Sequence, residues 1–341
     1  MRRFLLLTGL SWWIGIAQAE ATTQVVISGA ISINTTATGF IGIAGVHREN
    51  TIVNVTHIAP TGGNFTVLRI TLSVAPDNGA GSQSVAFALR VDGTDSALAC
   101  TITETETTCA SASSVAVSAA SDIVISEIPT NTPAASDARF AMEFVPTTND
   151  YTILGGCSSG STLADATRYL NPAGSNAPSD TESLVQVIIP VGGTLRNVYV
   201  EVETGPQAGA SHDFTVMVNG LASAITCNIS NPNKTCNDTT NTVAVSAGDL
   251  VSIRRVPTAS PTASKVSYGL VFVPTTSGQF LTLSANSEFP STPAPQYIEM
   301  VMRGALAGNH VQQWELFDLM MDSWPELSAC FQELSYGVLS K

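Results

Sequence analysis

Asn197-Val198-Tyr199-Val200-Glu201-Val202-Glu203 alternates without a break. Val198, Val200 and Val202 share one face, and Asn197, Tyr199, Glu201 and Glu203 share the other. That is the period of two expected of a half-buried β-strand. Just downstream, Phe214-Thr215-Val216-Met217-Val218 sets Phe214, Val216 and Val218 on one face and ends at Asn219-Gly220. Both turn residues tolerate positive φ, so the pair closes a tight hairpin. Further strand-like segments fall at 167–171, 184–190, 224–228, 242–246, 250–256, 266–273 and 280–284, with Ala247-Gly248-Asp249 as a turn. Short strands at this spacing, with polar turns and no helical period before the tail, predict an antiparallel β-sandwich or jelly roll.

The same pattern occurs twice. Phe144-Val145-Pro146-Thr147-Thr148 returns 128 positions on as Phe272-Val273-Pro274-Thr275-Thr276, and Val91-Asp92-Gly93 returns as Val218-Asn219-Gly220. Cys100 and Cys109 recur as Cys227 and Cys236 with the same internal spacing. A unit this long is a whole domain rather than a solenoid turn. In the first copy Ile70, Leu72 and Val74 are predicted inward, and Asp92-Gly93 takes the place of Asn219-Gly220. The expected organisation is all-β: a leader at 1–19, sandwich repeats at 20–158 and 159–287, and a Pro-rich, partly helical tail at 288–341.

The chain has 341 residues, a net charge of −13 and only 14 Lys plus Arg. A basic footprint large enough to offset nucleic-acid phosphates is missing. Arg2 and Arg3, the apolar run 4–16 and Ala17-Gln18-Ala19 read as an export signal. No later segment is apolar for long enough to span a bilayer. The predicted location is secreted or cell-surface. Six cysteines then invite disulfides. Cys100 with Cys109, and Cys227 with Cys236, each frame eight polar turn formers whose ends can meet. A zinc site is the rival, and two thiolates without histidine serve it poorly. Cys157 and Cys330 have no counterpart in the other copy. They are left to bridge each other, to bond between chains, or to stay as thiols.

The run Thr194-Leu195-Arg196-Asn197-Val198-Tyr199-Val200, then Phe214-Thr215-Val216-Met217-Val218-Asn219-Gly220, then Val243-Ala244-Val245-Ser246-Ala247-Gly248-Asp249-Leu250-Val251-Ser252-Ile253 resembles the tumour-necrosis-factor/C1q-like jelly roll. Its nearest flavour is the bacterial and viral version at the tips of collagen-like surface glycoproteins of the exosporium type. The resemblance covers roughly 24–287 in two copies. It implies a secreted or surface structural module, often trimeric. The chain differs in having no Gly-x-y stalk, in carrying its modules in tandem, and in placing Ala120-Ser121-Asp122 opposite Ala247-Gly248-Asp249.

The tail is of another kind. Pro290, Pro293 and Pro295 form a stiff connector. Residues 310–324 read as a helix with Trp314, Phe317, Met321 and Trp324 on one face, which either meets a partner or packs on the chain's own second domain. Ser323-Trp324-Pro325-Glu326 has the cap and first-turn residues of a second helix start. Ser291-Thr292 and Tyr297 echo Ser161-Thr162 and Tyr169, so 296–302 reads either as the first strand of a third unit, able to complete a sheet in the next molecule, or as a degenerate edge strand of the same chain.

Candidate chemistry is sparse. Gly156-Cys157-Ser158-Ser159-Gly160 matches the nucleophile-elbow pattern but lacks the helix that must follow it. His47, His57, His212 and His310 show no metal spacing and read as surface or half-buried structural histidines. Asp77-Asn78-Gly79, Asp92-Gly93-Thr94-Asp95 and Asn237-Asp238 are oxygen-rich, as calcium requires, but no twelve-residue calcium loop is present and turn chemistry accounts for them. No cofactor is expected. Glycosylation sequons stand at Asn34, Asn54, Asn64, Asn228, Asn233 and Asn237. The function expected is therefore a non-enzymatic structural or adhesion protein, with self-association as trimer or polymer through jelly-roll faces or the tail. The alternative is a carbohydrate-binding protein that meets surface glycans through Tyr169, Tyr199 or Tyr268.

Overall fold

The computed structural model describes residues 22–44, 48–79, 81–158, 162–163, 165–174, 177–281 and 304–305. The leader at 1–19, His47, the connector prolines, the helix expected at 310–324, His310 and Cys330 lie outside the described residues. The first module runs β1 (Gln24–Ile27), β2 (Ile31–Ser32), β3 (Gly39–Ile41), β4 (Arg48–Glu49), β5 (His57–Ile58), β6 (Gly63–Leu72), β7 (Ser84–Val91), β8 (Thr94–Thr103), β9 (Thr108–Ser111), β10 (Val115–Val117), β11 (Asp122–Thr130) and β12 (Asp137–Pro146). The second runs β13 (Thr152–Cys157), β14 (Arg168–Leu170), β15 (Val187–Ile188), β16 (Gly193–Val202), β17 (Ser211–Val218), β18 (Leu221–Ser230), β19 (Thr235–Val245), β20 (Leu250–Thr258) and β21 (Val266–Pro274). Then β22 (Gln279–Phe280) pairs with β23 (Gly304–Ala305).

Each module is two antiparallel sheets packed face to face. In the first, one sheet has the order β1-β12-β6-β10 and the other β4-β3-β11-β7-β8. The second repeats this as β13-β21-β16-β19 and β14-β20-β17-β18. Apart from the hairpins β3–β4, β7–β8 and β17–β18, the chain passes repeatedly between the two sheets, and the first and last strands of each module sit side by side, as in a jelly roll. Strand alternation explains the cores. Val198, Val200 and Val202 are 2%, 1% and 0% exposed, while Tyr199 and Glu201 are only partly covered. Phe65 meets Phe144 with centroids 5.0 Å apart. Burying each such ring stabilises by about 1.5–3 kcal/mol.

Four sequence expectations need correction. Val74 is 49% exposed rather than inward, because β6 ends at Leu72. Its inward set is Leu68, Ile70 and Leu72, two residues earlier than expected. The stretch 184–190 is a 3-10 turn (Glu182–Leu184) followed by the two-residue β15. The second sandwich starts before residue 158, since β13 is hydrogen-bonded to β21 along its length. Finally, Ser121 rather than Asp122 is the structural counterpart of Asp249: Ser118 N bonds the Ser121 hydroxyl as Ser246 N bonds the Asp249 carboxylate.

The modules pack closely on each other. β5 and the 3-10 turn before it (Ile52–Asn54) seat on β13, β21 and β16. The effect on burial is plain from the duplicated strands. In β12 five of ten residues are buried, in strict alternation; in β21 eight of nine are buried, so both faces are covered. Gly269 makes this possible, because a Cβ there would overlap the Ile58 carbonyl.

Candidate functional site

A cavity of about 300 Å³ with convergent polar groups lies at the seam between the modules. The first module contributes Arg90, Asp92 and Asp122; the second contributes Glu201, Glu203 and Ser267. Asp92 occupies the β7–β8 turn with φ 47°, and Gly93 follows at φ 78°. Its carboxylate accepts the Asp122 amide (2.8 Å) and the Ser121 hydroxyl (3.1 Å). Asn219 makes the same clamp in the second module, accepting the Leu250 amide and donating to Asp249. Position 122 is therefore an acid in one copy and Leu250 in the other.

That difference governs the electrostatics. Burial raises Asp122 to about 6, with Glu201 across the seam and Asp92 beside it adding to the rise. Asp122 Oδ1 is buried with no hydrogen-bond partner. Burial raises Glu201 too, with Lys234 pulling the other way. Arg90 is held by Asp95 at 2.9 Å, and Glu203 lies 3.9 Å from Lys265. The cavity thus sets two carboxylates, Asp122 and Glu201, to hold protons more tightly than free ones. Among the described residues no group of three or more His, Cys, Asp or Glu is set to hold a metal ion.

The residues singled out from sequence are dispersed and serve the fold. Cys100–Cys109 and Cys227–Cys236 are disulfides, with Cα atoms 5.7 Å apart in each. They do not close hairpins: each ties the edge strand of one sheet (β8, β18) to the edge strand of the other (β9, β19). Cys157 is a fully buried thiol at the seam that donates to Asn54 O at 3.0 Å. Ser158 is 1% exposed, and its hydroxyl accepts the Val266 amide, so the 156–160 motif ends a strand instead of presenting a nucleophile. His57 and His212 are 2% and 0% exposed, against the surface or half-buried positions expected. Burial pushes His57 down to about 3 and His212 to about 4, the latter helped by Arg255, whose guanidinium donates to His212 Nδ1. Asp77 accepts the Gly79 amide, and Asp238 gathers the amides of Thr226, Thr240 and Asn241, which is turn and strand clamping.

Of the sequons, Asn228, Asn233 and Asn237 are exposed around the second disulfide, and Asn34 and Asn64 are partly exposed. Asn54 is 9% exposed at the seam, where a glycan has no room. Tyr268 is buried and donates to Asn171 O, so it cannot offer a ring to a sugar; Tyr169 and Tyr199 are partly exposed. No helix among the described residues is long and apolar enough to cross a membrane. The seam cavity itself was not anticipated. The sole signal for it was the pairing of Asp92 with Asp122 in one copy against Asn219 with Leu250 in the other.

No protein-family profile matches the chain, and no curated protein matches it. Solved structures of PNGF-II in the C2 and P21 space groups align at 9% and 8% identity, with TM-scores of 0.22 and 0.21. The alignments cover 64% and 74% of this chain and 58% and 66% of those chains. Likenesses this low carry neither fold nor activity over to this chain.

Proposed function

We propose that the chain is a non-enzymatic structural or adhesion protein of the extracellular space or cell surface, made of two jelly rolls of the tumour-necrosis-factor/C1q kind. The observation that carries this reading is the seam. The second module gives the outward faces of β13 and most of β21 to the first, through a glycine that admits the Ile58 backbone. Sheet surface is used here to fasten module to module. The disulfides support the extracellular location, since such bonds persist in oxidising compartments. The strand order of both modules supports the family resemblance.

Two measurements on the secreted full chain test the reading. Limited proteolysis should leave one resistant fragment holding both modules, and light scattering should give one mass with or without reductant. Separate module-sized fragments would sink the fastened-body interpretation. A reproducible hydrolytic activity that disappears in Ser158→Ala would overturn the non-enzymatic one.

A further inference from the structure

Thr22, Asp150 and Gly278 are successive equivalents at a spacing of 128 residues, and they meet in space. Thr22 Oγ1 donates to Asp150 Oδ1 at 2.5 Å, and the Gly278 amide donates to the same oxygen at 3.0 Å. Two residues on, Gln24 Nε2 donates to Ile153 O (2.8 Å) and to Leu281 O (2.6 Å), carbonyls again one repeat apart. The starts of β1, β13 and β22 therefore lie together as three equivalent strands. Two of them open complete modules, and the third, β22, opens a third position. Its partner β23 brings the chain back there at Gly304–Ala305.

The seam between the first two positions shows which surfaces flank the third. The edge of one module seats on the outward sheet face of the next. On the second module that edge is uncovered: Leu184 and Ile188, the counterparts of Asn54 and Ile58, are 65% and 68% exposed. On the first module the sheet face is uncovered and carries Ile27, Ala141, Arg69, Arg139 and Glu143, with both arginines exposed and Glu143 half-buried and hydrogen-bonded by Thr66, so the net charge of this set is positive. A further jelly roll cannot seat there as the first module seats on the second. Ala141 stands where Gly269 admits the Ile58 carbonyl, and Arg139 stands where Ser267 is 5% exposed. A different occupant is required: one with an apolar face for Ile27, Ala141, Leu184 and Ile188, and negative charge for two arginines that make no ion pair among the described residues.

We propose that residues 306–341 of the same chain fill the third position. This segment leaves from β23, so it is tethered at the site and docks at high effective concentration. It carries Glu315, Asp318, Asp322, Glu326 and Glu333 against Lys341 alone. Trp314, Phe317, Met321 and Trp324 recur at helical spacing and supply the apolar face. The chain is in this sense a three-position assembly with its last position taken by a helical plug.

The test reads the plug directly. With Trp12 and Trp13 replaced by Phe in the full-length chain, Trp314 and Trp324 are its only indoles. Their emission should be blue-shifted in the parent and independent of protein concentration. It should move to longer wavelength, with more quenching by iodide, in Arg69→Glu/Arg139→Glu and separately in Leu184→Lys/Ile188→Lys, while the far-ultraviolet strand signal is kept. Arg69→Lys/Arg139→Lys should retain the parent spectrum. Emission like free tryptophan in the parent, or unchanged in both variants, overturns the proposal. A blue shift that fades on dilution overturns it as well, since the tail then docks on a second copy. None of these outcomes depends on whether the protein is an enzyme, so the proposal and the functional reading fail separately.

Discussion

Asp122 and His57 sit on the same seam and respond to pH in opposite senses. Asp122 is raised in the folded protein to about 6. The folded state then holds that proton more tightly than the unfolded chain does, so stability falls as pH rises from about 4 through about 6. Asp122→Asn removes the penalty and keeps the amide that Asp92 accepts. It should stabilise by about 1 kcal/mol above pH 6.5 and by nothing below pH 4, the full shift being discounted for the exposed part of the carboxyl. Urea unfolding at pH 4 and pH 7.5 measures this, and an equal effect at both would count against the raised carboxyl. His57 is lowered to about 3 by burial. As pH falls below about 6.5 the unfolded chain takes up a proton that the folded state refuses, and stability is lost progressively toward pH 3. Val187 occupies the equivalent position in the second module, so the strand itself accepts valine there. The His57→Val variant should lose less stability than the parent between pH 6.5 and 4; an unchanged slope would place the acid sensitivity elsewhere.

At the level of strands, parity was legible and register was not. The alternation at 197–203 assigned Val198, Val200 and Val202 to the core correctly, because side-chain direction follows from the two-residue period alone. Correspondence between copies was harder, since loops absorb insertions without disturbing the strands they join. β6 matches β16 at an offset of 130, whereas β7 matches β17 at 127; the connection at 73–83 is longer than that at 203–210. A single offset of 128 therefore misplaced Val74. The cysteines kept one spacing because both lie beyond the length change, and their pairing could be read directly. What they join could not, since spacing does not say that β8 and β9 belong to different sheets. This placement makes the disulfides clamps across the open edge of each sandwich. Closing a loop of this length should stabilise by about 2–3 kcal/mol. Cys100→Ser/Cys109→Ser and Cys227→Ser/Cys236→Ser should each cost that much in urea unfolding, and the losses should add, because the two bridges share no partners. A loss confined to one module's bridge would show that only that edge needs the clamp.

The whole molecule departs from two beads on a string, and no motif announced this. The contrast that reveals it is spread over four positions: Arg139 against Ser267, and Ala141 against Gly269. Arg139 and Ala141 bar a jelly-roll edge from seating on the first module's sheet face, and Ser267 and Gly269 let the second module's face close under β5. None of these residues is unusual alone, and only their equivalence in space gives the contrast meaning. The seam couples folding as well as position. The 3-10 turn and β5 of the first module rest on strands of the second, and Gln24 exchanges two hydrogen bonds with Ile153 across it, at 2.8 Å each. An interface this buried should make the two modules unfold as one transition, although each has its own core. Gly269→Val places a branched side chain against the Ile58 carbonyl and should cost about 1–3 kcal/mol through overpacking. The cost falls on the seam and leaves both cores intact. Calorimetry should therefore show the single parental transition split into two, each with roughly half of the total enthalpy. Ala141→Val, at the matching position on the first module and away from the seam, should leave one transition. If Gly269→Val lowers the midpoint without splitting it, the modules are coupled through the strand starts around Asp150, and the glycine seat is incidental to their cooperativity.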